Sequence, residues 1–196
     1  MKKIPCLFVR NFIPRANGKG TAAVLTSAVT PGLEWVLEGK GAATRKRDGT
    51  ACLIKDGQLY KRYDAKAGKP PPPLGIPCQP SPDETTGHWP HWIPVDTEPE
   101  SKWHLAAFER QSSLPDGTYE LCGPHFQGNP EGLDVDALIP HGAEVLDVAP
   151  RSFEGLRVFL SAANIEGIVF WLDGEPQAKI RRDDYGLPWG SKGNRR

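Results

Sequence analysis

Two Asp-Gly pairs, Asp56-Gly57 and Asp173-Gly174, each stand between runs of β-forming residues. A two-residue hairpin turn needs backbone conformations that most L-residues resist, and Asp-Gly adopts them at low cost. The pairs therefore predict two antiparallel hairpins, one joining strands 50–54 and 58–63 and one joining 165–172 with 177–182. The chain of 196 residues also holds 20 prolines and 21 glycines, which favour turns and short elements over long helices. The expected class is α+β, with antiparallel sheets carrying most of the structure.

Further strands are expected at 4–9, 24–29, 42–46 and 118–122, with a turn-rich connection over 11–20. Ser152 is placed to cap a helix whose apolar residues Phe153, Leu156, Phe159, Leu160 and Ala163 recur at helical spacing. The stretch 65–105 has a different character. Pro70 to Pro73 are consecutive, and six more prolines follow between 77 and 99. It reads as an insertion or long ordered loop, held down by Trp89, Trp92 and Trp103. The length fits a single domain over 1–189, followed by a basic tail at 190–196.

Lysine plus arginine and aspartate plus glutamate number 24 each, so bulk charge excludes a strongly basic nucleic-acid binder and leaves only local patches. The apolar run 4–9 ends at Arg10 and is too short for a signal segment or a membrane span. Cys6, Cys52, Cys78 and Cys122 are scattered with no CxxC pair, and read as free thiols in a reducing, cytoplasmic setting. His88 and His91, with Cys78 and His104, match no strong zinc spacing and read as loop histidines packed by tryptophans.

The chemistry-bearing feature is Lys46-Arg47-Asp48-Gly49. An amine attacks phosphorus only without its proton, and free lysine titrates near ~10.4, so such a nucleophile needs burial or neighbouring cations. Arg45, Arg47, Lys61 and Arg62 are near in sequence. Asp48 and Gly49 let the chain turn after the lysine. Alone the tetrapeptide is weak, because a surface lysine before a turn looks the same. Downstream lie Arg62 on a hairpin strand, Glu120 in Tyr119-Glu120-Leu121, Glu166 before Gly167, and Lys179-Ile180-Arg181. An acid in an apolar strand must be paired, bind metal or face a cleft, and two cations at spacing two share a strand face suited to a polyphosphate.

This series resembles the covalent nucleotidyltransferase superfamily of polynucleotide ligases and messenger-RNA capping enzymes. Gly117 to Pro124, Ile165 to Phe170, and Lys179 to Arg181 running into Asp184-Tyr185-Gly186-Leu187-Pro188-Trp189 resemble the third, fourth and fifth motifs of small 5′-to-3′ RNA ligases without an OB domain. The resemblance covers roughly residues 36–189. It implies an ATP-grasp-like adenylation domain whose antiparallel sheets flank a nucleotide cleft, and an RNA partner with 5′-phosphate and 3′-hydroxyl ends. It implies ATP as cosubstrate and Mg²⁺ or Mn²⁺ as metal. Lys46 would become lysyl-AMP, Asp48 would position metal-bound water or the lysine itself, and Gly49 would lie against the nucleotide. Arg62 would contact the nucleotide ribose or the substrate phosphate, Glu120 would hold the ribose hydroxyls, Glu166 would bind the metal, Lys179 would contact the α-phosphate, and Arg181 would stand where many relatives have a second lysine. Many DNA ligases have arginine five residues after the lysine; Ala51 stands there, which turns the resemblance towards RNA. A capping-type GTP nucleotidyltransferase and a non-catalytic RNA-binding module are the alternatives.

Overall fold

A computed structural model describes residues 1–14, 21–84, 86–111 and 113–190. The expected basic tail at 191–196 and positions 15–20 of the expected connection lie outside the described residues. The strands are β1 (Phe8–Pro14), β2 (Thr21–Val29), β3 (Ala42–Lys46), β4 (Thr50–Lys55), β5 (Gln58–Ala65), β6 (Ile76–Pro77), β7 (Trp89–Pro94), β8 (Gly117–Cys122), β9 (Ala137–Pro140), β10 (Gly167–Leu172) and β11 (Glu175–Arg181). The α-helices are α1 (Lys102–Arg110) and α2 (Phe153–Ala162). All strand pairings in the sheets are antiparallel, and the class is α+β.

The chain forms two compact units. One comprises Met1–Lys3 and Asp48–His141, the other Ile4–Arg47 and Gly142–Arg196. The chain thus passes from one unit to the other inside the Lys-Arg-Asp-Gly sequence, and returns next to His141.

In the first unit a six-stranded sheet has the order β6-β7-β5-β4-β8-β9. The β4–β5 hairpin closes at Asp56 and Gly57 with φ of 52° and 72°, the left-handed conformations expected of its turn. Alternation sends Cys52, Ile54, Leu59, Tyr119, Leu121 and Leu138 to a buried face, where Ala107 of α1 joins them. The stretch 65–105 is more regular than a loop. It contributes β6, β7 and the start of α1, and β7 pairs with both β5 and β6. Pro90 is tolerated there because its carbonyl still accepts a hydrogen bond from the Cys78 amide at 2.9 Å. Trp92 is buried, as expected of a stretch that packs down, whereas Trp103 stays partly exposed.

The second unit holds a three-stranded sheet, β11-β10-β3, and the β1–β2 hairpin. Ala43, Ile168, Phe170, Ala178 and Ile180 line one sheet face and pack with Leu156 and Leu160 of α2. The Ser152 hydroxyl caps α2 by accepting from the Gly155 amide at 3.1 Å, as its position predicted. The first strand begins later than its composition suggested. Residues 5–7 run beside β11 instead, with backbone bonds from Leu7 to the Lys179 carbonyl and from Lys179 to the Pro5 carbonyl.

Candidate functional site

Register explains how the second unit gathers its cations. Gly167 of β10 pairs with Lys46 on one side and with Arg181 on the other; Val169 pairs with Thr44 and Lys179. Directly paired residues in antiparallel strands share a face. Lys46, Lys179 and Arg181 therefore occupy the sheet face opposite the apolar core. Gly167 keeps the row open, since a Cβ there would stand 2.3 Å from the Ile180 carbonyl oxygen. Glu166, immediately before it and buried, places its carboxylate 2.5 Å from Lys46 Nζ. Residues 120 positions apart, from the first and fourth predicted stations, are thereby brought together.

Burial lowers the Lys179 pKa to about 8, helped by the neighbouring charges of Lys46, Arg181 and Arg10 and opposed by Asp184. Asp184 is almost wholly buried and organises this end of the sheet. It accepts from the Arg181 amide at 2.9 Å, from the Arg181 guanidinium at 3.1 Å and from Arg10 at 2.6 Å. Arg10 was not expected here. Its only signal in the sequence was a charge inside an otherwise apolar β-forming stretch. On the other flank of Lys46, Glu144 bonds Arg47 at 2.5 Å and lies 3.6 Å from Arg45. The two arginines flanking Lys46 are thus partly neutralised, which the sequence did not announce.

The first unit holds the remaining predicted residues. Gly49 precedes β4 and its amide donates to Glu120 Oε1 at 3.1 Å. A Cβ on Gly49 would lie 2.2 Å from the Leu121 carbonyl oxygen, so glycine is required by close backbone approach. The Asp48 amide donates to Glu131 at 3.0 Å. Ala51 pairs directly with Glu120, and its small side chain leaves the space over that face to the carboxylate. Glu120 Oε2 lies 2.9 Å from His141 Nε2, a partner sequence reasoning missed. Arg62 falls on the same sheet face as Glu120 by alternation. Its guanidinium donates to Asp64 and to the Met1 carbonyl. His125 is bonded to buried Asp136 at 2.7 Å and stacked on Trp103.

Among the described residues no group of three or more His, Cys, Asp or Glu side chains is arranged to hold a metal ion. His91 is buried, with its Nδ1 2.9 Å from the Trp89 carbonyl, while His88 is exposed. All four cysteines are free thiols. No described helix is long and apolar enough to cross a membrane.

No family model matches the chain. Individual proteins do. RNA ligase 1 of Rattus norvegicus is 26% identical over 270 residues, spanning 96% of this chain and 82% of the relative. RNA ligase 1 of Danio rerio and of Mus musculus are each 26% identical over 266 residues, again with 96% of this chain and with 82% and 81% of the relative. The chain is homologous to RNA ligase 1. The matched spans exceed the 196 residues of this homologue, so the relatives carry segments that it lacks.

Proposed function

We propose that the chain is an ATP-dependent RNA ligase that seals 5′-phosphate and 3′-hydroxyl RNA ends through a lysyl-AMP intermediate. One observation carries this reading above the others: Lys46 Nζ meets Glu166 at 2.5 Å on a sheet face that also bears Lys179 and Arg181. A surface lysine before a turn would have no reason to be joined to two further motif stations distant in sequence. The homology to RNA ligase 1 supports the same reading.

In the first step the Lys46 amine attacks the α-phosphorus of ATP. A phosphorus–nitrogen bond forms, the bond to the bridging oxygen breaks, pyrophosphate leaves with the electron pair, and the attacking nitrogen releases one proton to solvent. Lys179 and Arg181 offset the charge that develops on the phosphate oxygens. AMP then passes to the RNA 5′-phosphate, and the 3′-hydroxyl displaces it to close the strand. Asp48 and Gly49 fix the backbone after the nucleophile, while Glu120 and Arg62 take the nucleotide.

The donor set fits Mg²⁺ or Mn²⁺. Such ions are commonly held by one or two carboxylates together with phosphate oxygens and water, and Glu166 supplies a carboxylate. Glu166 would hold such an ion, which would supply neutralisation of phosphate charge. The test is intact mass after incubation with ATP and Mg²⁺ or Mn²⁺, with GTP as a parallel arm, followed by sealing of 5′-phosphorylated RNA against DNA. The wild type is expected to gain one AMP and to seal RNA; K46A is expected to gain none. Adduct of undiminished yield in K46A, or an adduct from GTP alone, overturns the reading.

A further inference from the structure

Glu120 and His141 form a pair that the proposed reaction has not yet used in full. The strand register brings them together. Glu120 pairs with Ile139 across β8 and β9, and the His141 amide donates to the Thr118 carbonyl at 3.0 Å. Thr118 and Glu120 project to the same face, so His141, opposite Thr118, becomes the diagonal neighbour of Glu120 on that face. The Glu120 side chain is only 14% exposed and that of His141 16%. A carboxylate so withdrawn from water needs its lone pairs satisfied.

A carboxylate accepts and never donates, so the proton between the two groups sits on His141 Nε2. The other ring nitrogen, Nδ1, is buried and has no hydrogen-bond partner among the described residues. The ring therefore has one directional task visible here, the bond to Oε2 at 2.9 Å. The Gly49 amide takes Oε1 at 3.1 Å. With one donor on each oxygen, the carboxylate plane is fixed and about two of its four lone-pair directions stay open. Two open acceptors, one per oxygen, remain for the ribose hydroxyls that the family resemblance assigns to Glu120.

We infer that His141 is a positioning residue for Glu120, fixing the plane of the carboxylate that the family resemblance assigns to the ribose hydroxyls. The inference deepens the reading above and rests on it. His141 would act through Glu120, and its contribution would be selectivity for ribonucleotide over 2′-deoxyribonucleotide. A donor set that recognises hydroxyls discriminates strongly against an analogue lacking one, because an acceptor is left unfilled.

The experiment compares ATP and 2′-deoxy-ATP as sources of the lysyl adduct, as the ratio of kcat/KM values on the same preparation, so that the fraction of folded protein cancels. Wild type, H141F, H141N and H141Q are measured. Wild type is expected to favour ATP. H141F, which removes the donor, and H141N, which cannot present it at the ε position, are expected to lower that preference about tenfold, mainly through KM for ATP. H141Q, which can place an amide N–H at the ε position, is expected to recover most of it. An unchanged ratio in both H141F and H141N overturns the assignment of His141 alone. A wild type that forms no adduct with either nucleotide overturns the ligase reading, and this inference with it.

Discussion

Two carboxylates, Glu166 and Glu120, begin from the same situation, an acid beside or within an apolar strand, and are satisfied in opposite ways. Glu166 meets a formal charge, the Lys46 ammonium at 2.5 Å. Glu120 meets two directional donors instead, a backbone amide and the ring nitrogen of a histidine. On the proposed reaction, counter-charge would suit a group whose lysine partner is to be released for attack. One directional donor on each oxygen suits a group that holds its ligand in one orientation, since together they set the carboxylate plane. Local sequence makes the two acids look alike. Their partners tell them apart: Glu166 meets a lysine side chain, and Glu120 a backbone amide and a histidine ring.

The strongest way to break this comparison is to neutralise each acid. E166Q is expected to lower kcat for lysyl-AMP formation by roughly 10²–10³-fold, the scale for losing one group that stabilises transition-state charge. E120Q is expected to act mainly on KM for ATP, by roughly 10–100-fold, the scale of a hydrogen bond to a charged group. Single-turnover kinetics separate the two. Equal effects on kcat and KM from both variants would erase the distinction.

Gly49 and Gly167 test whether the backbone next to each acid is equally constrained. Each would place a Cβ within about 2.3 Å of a carbonyl oxygen, so G49A and G167A are each expected to cost about 1–3 kcal/mol in denaturant unfolding. G49A also displaces the amide that holds Glu120, so its KM for ATP is expected to rise, whereas G167A is expected to lower kcat.

Lys179 sharpens the charge-handling side. Its folded pKa, about 8, lies below the ordinary lysine value of 10.5. Between those values the unfolded chain binds more protons, so stability rises with pH through that window. Below about pH 8 the residue is protonated in both states and carries its full burial penalty. K179M is expected to flatten the rise between pH 8 and 10.5 and to raise Tm at pH 7 by roughly 2–4 °C per kcal/mol relieved, while adduct formation falls. Lower thermal stability in K179M at pH 7 would contradict the assigned burial penalty. The smallest effect is expected from S152A, which removes the α2 cap, costs about 1 kcal/mol, and leaves the ATP to 2′-deoxy-ATP ratio unchanged.

Much of the local structure was legible in the residues. Asp56-Gly57 and Asp173-Gly174 both turn hairpins with left-handed φ at each residue, and Ser152 caps its helix, because such signals act over two to four residues. Strand β3 ends at Lys46, as its pattern suggested. The stretch 65–105 holds strands where a long loop was one expectation, because proline argues against a strand, yet Pro90 sits where its carbonyl, and not a donor, is required. The start of β1 was placed early because residues 5–7 are β-forming but pair with β11 outside the hairpin. Helix α1 carries no cap of the usual kind; no side chain bonds at its N-terminus.

By itself the amino-acid order determined which residue types could do the chemistry and which local turns would present them. Lysine before Asp-Gly, acids in apolar strands and cations at spacing two are chemical facts about neighbours. Only the tertiary structure decided who meets whom. Lys46 reaches Glu166 across 120 positions, Arg10 reaches Asp184 across 174, and His141 reaches Glu120 across 21. Such pairs follow from strand register, and register is set by burying one sheet face against a core, a condition that no short window of sequence contains.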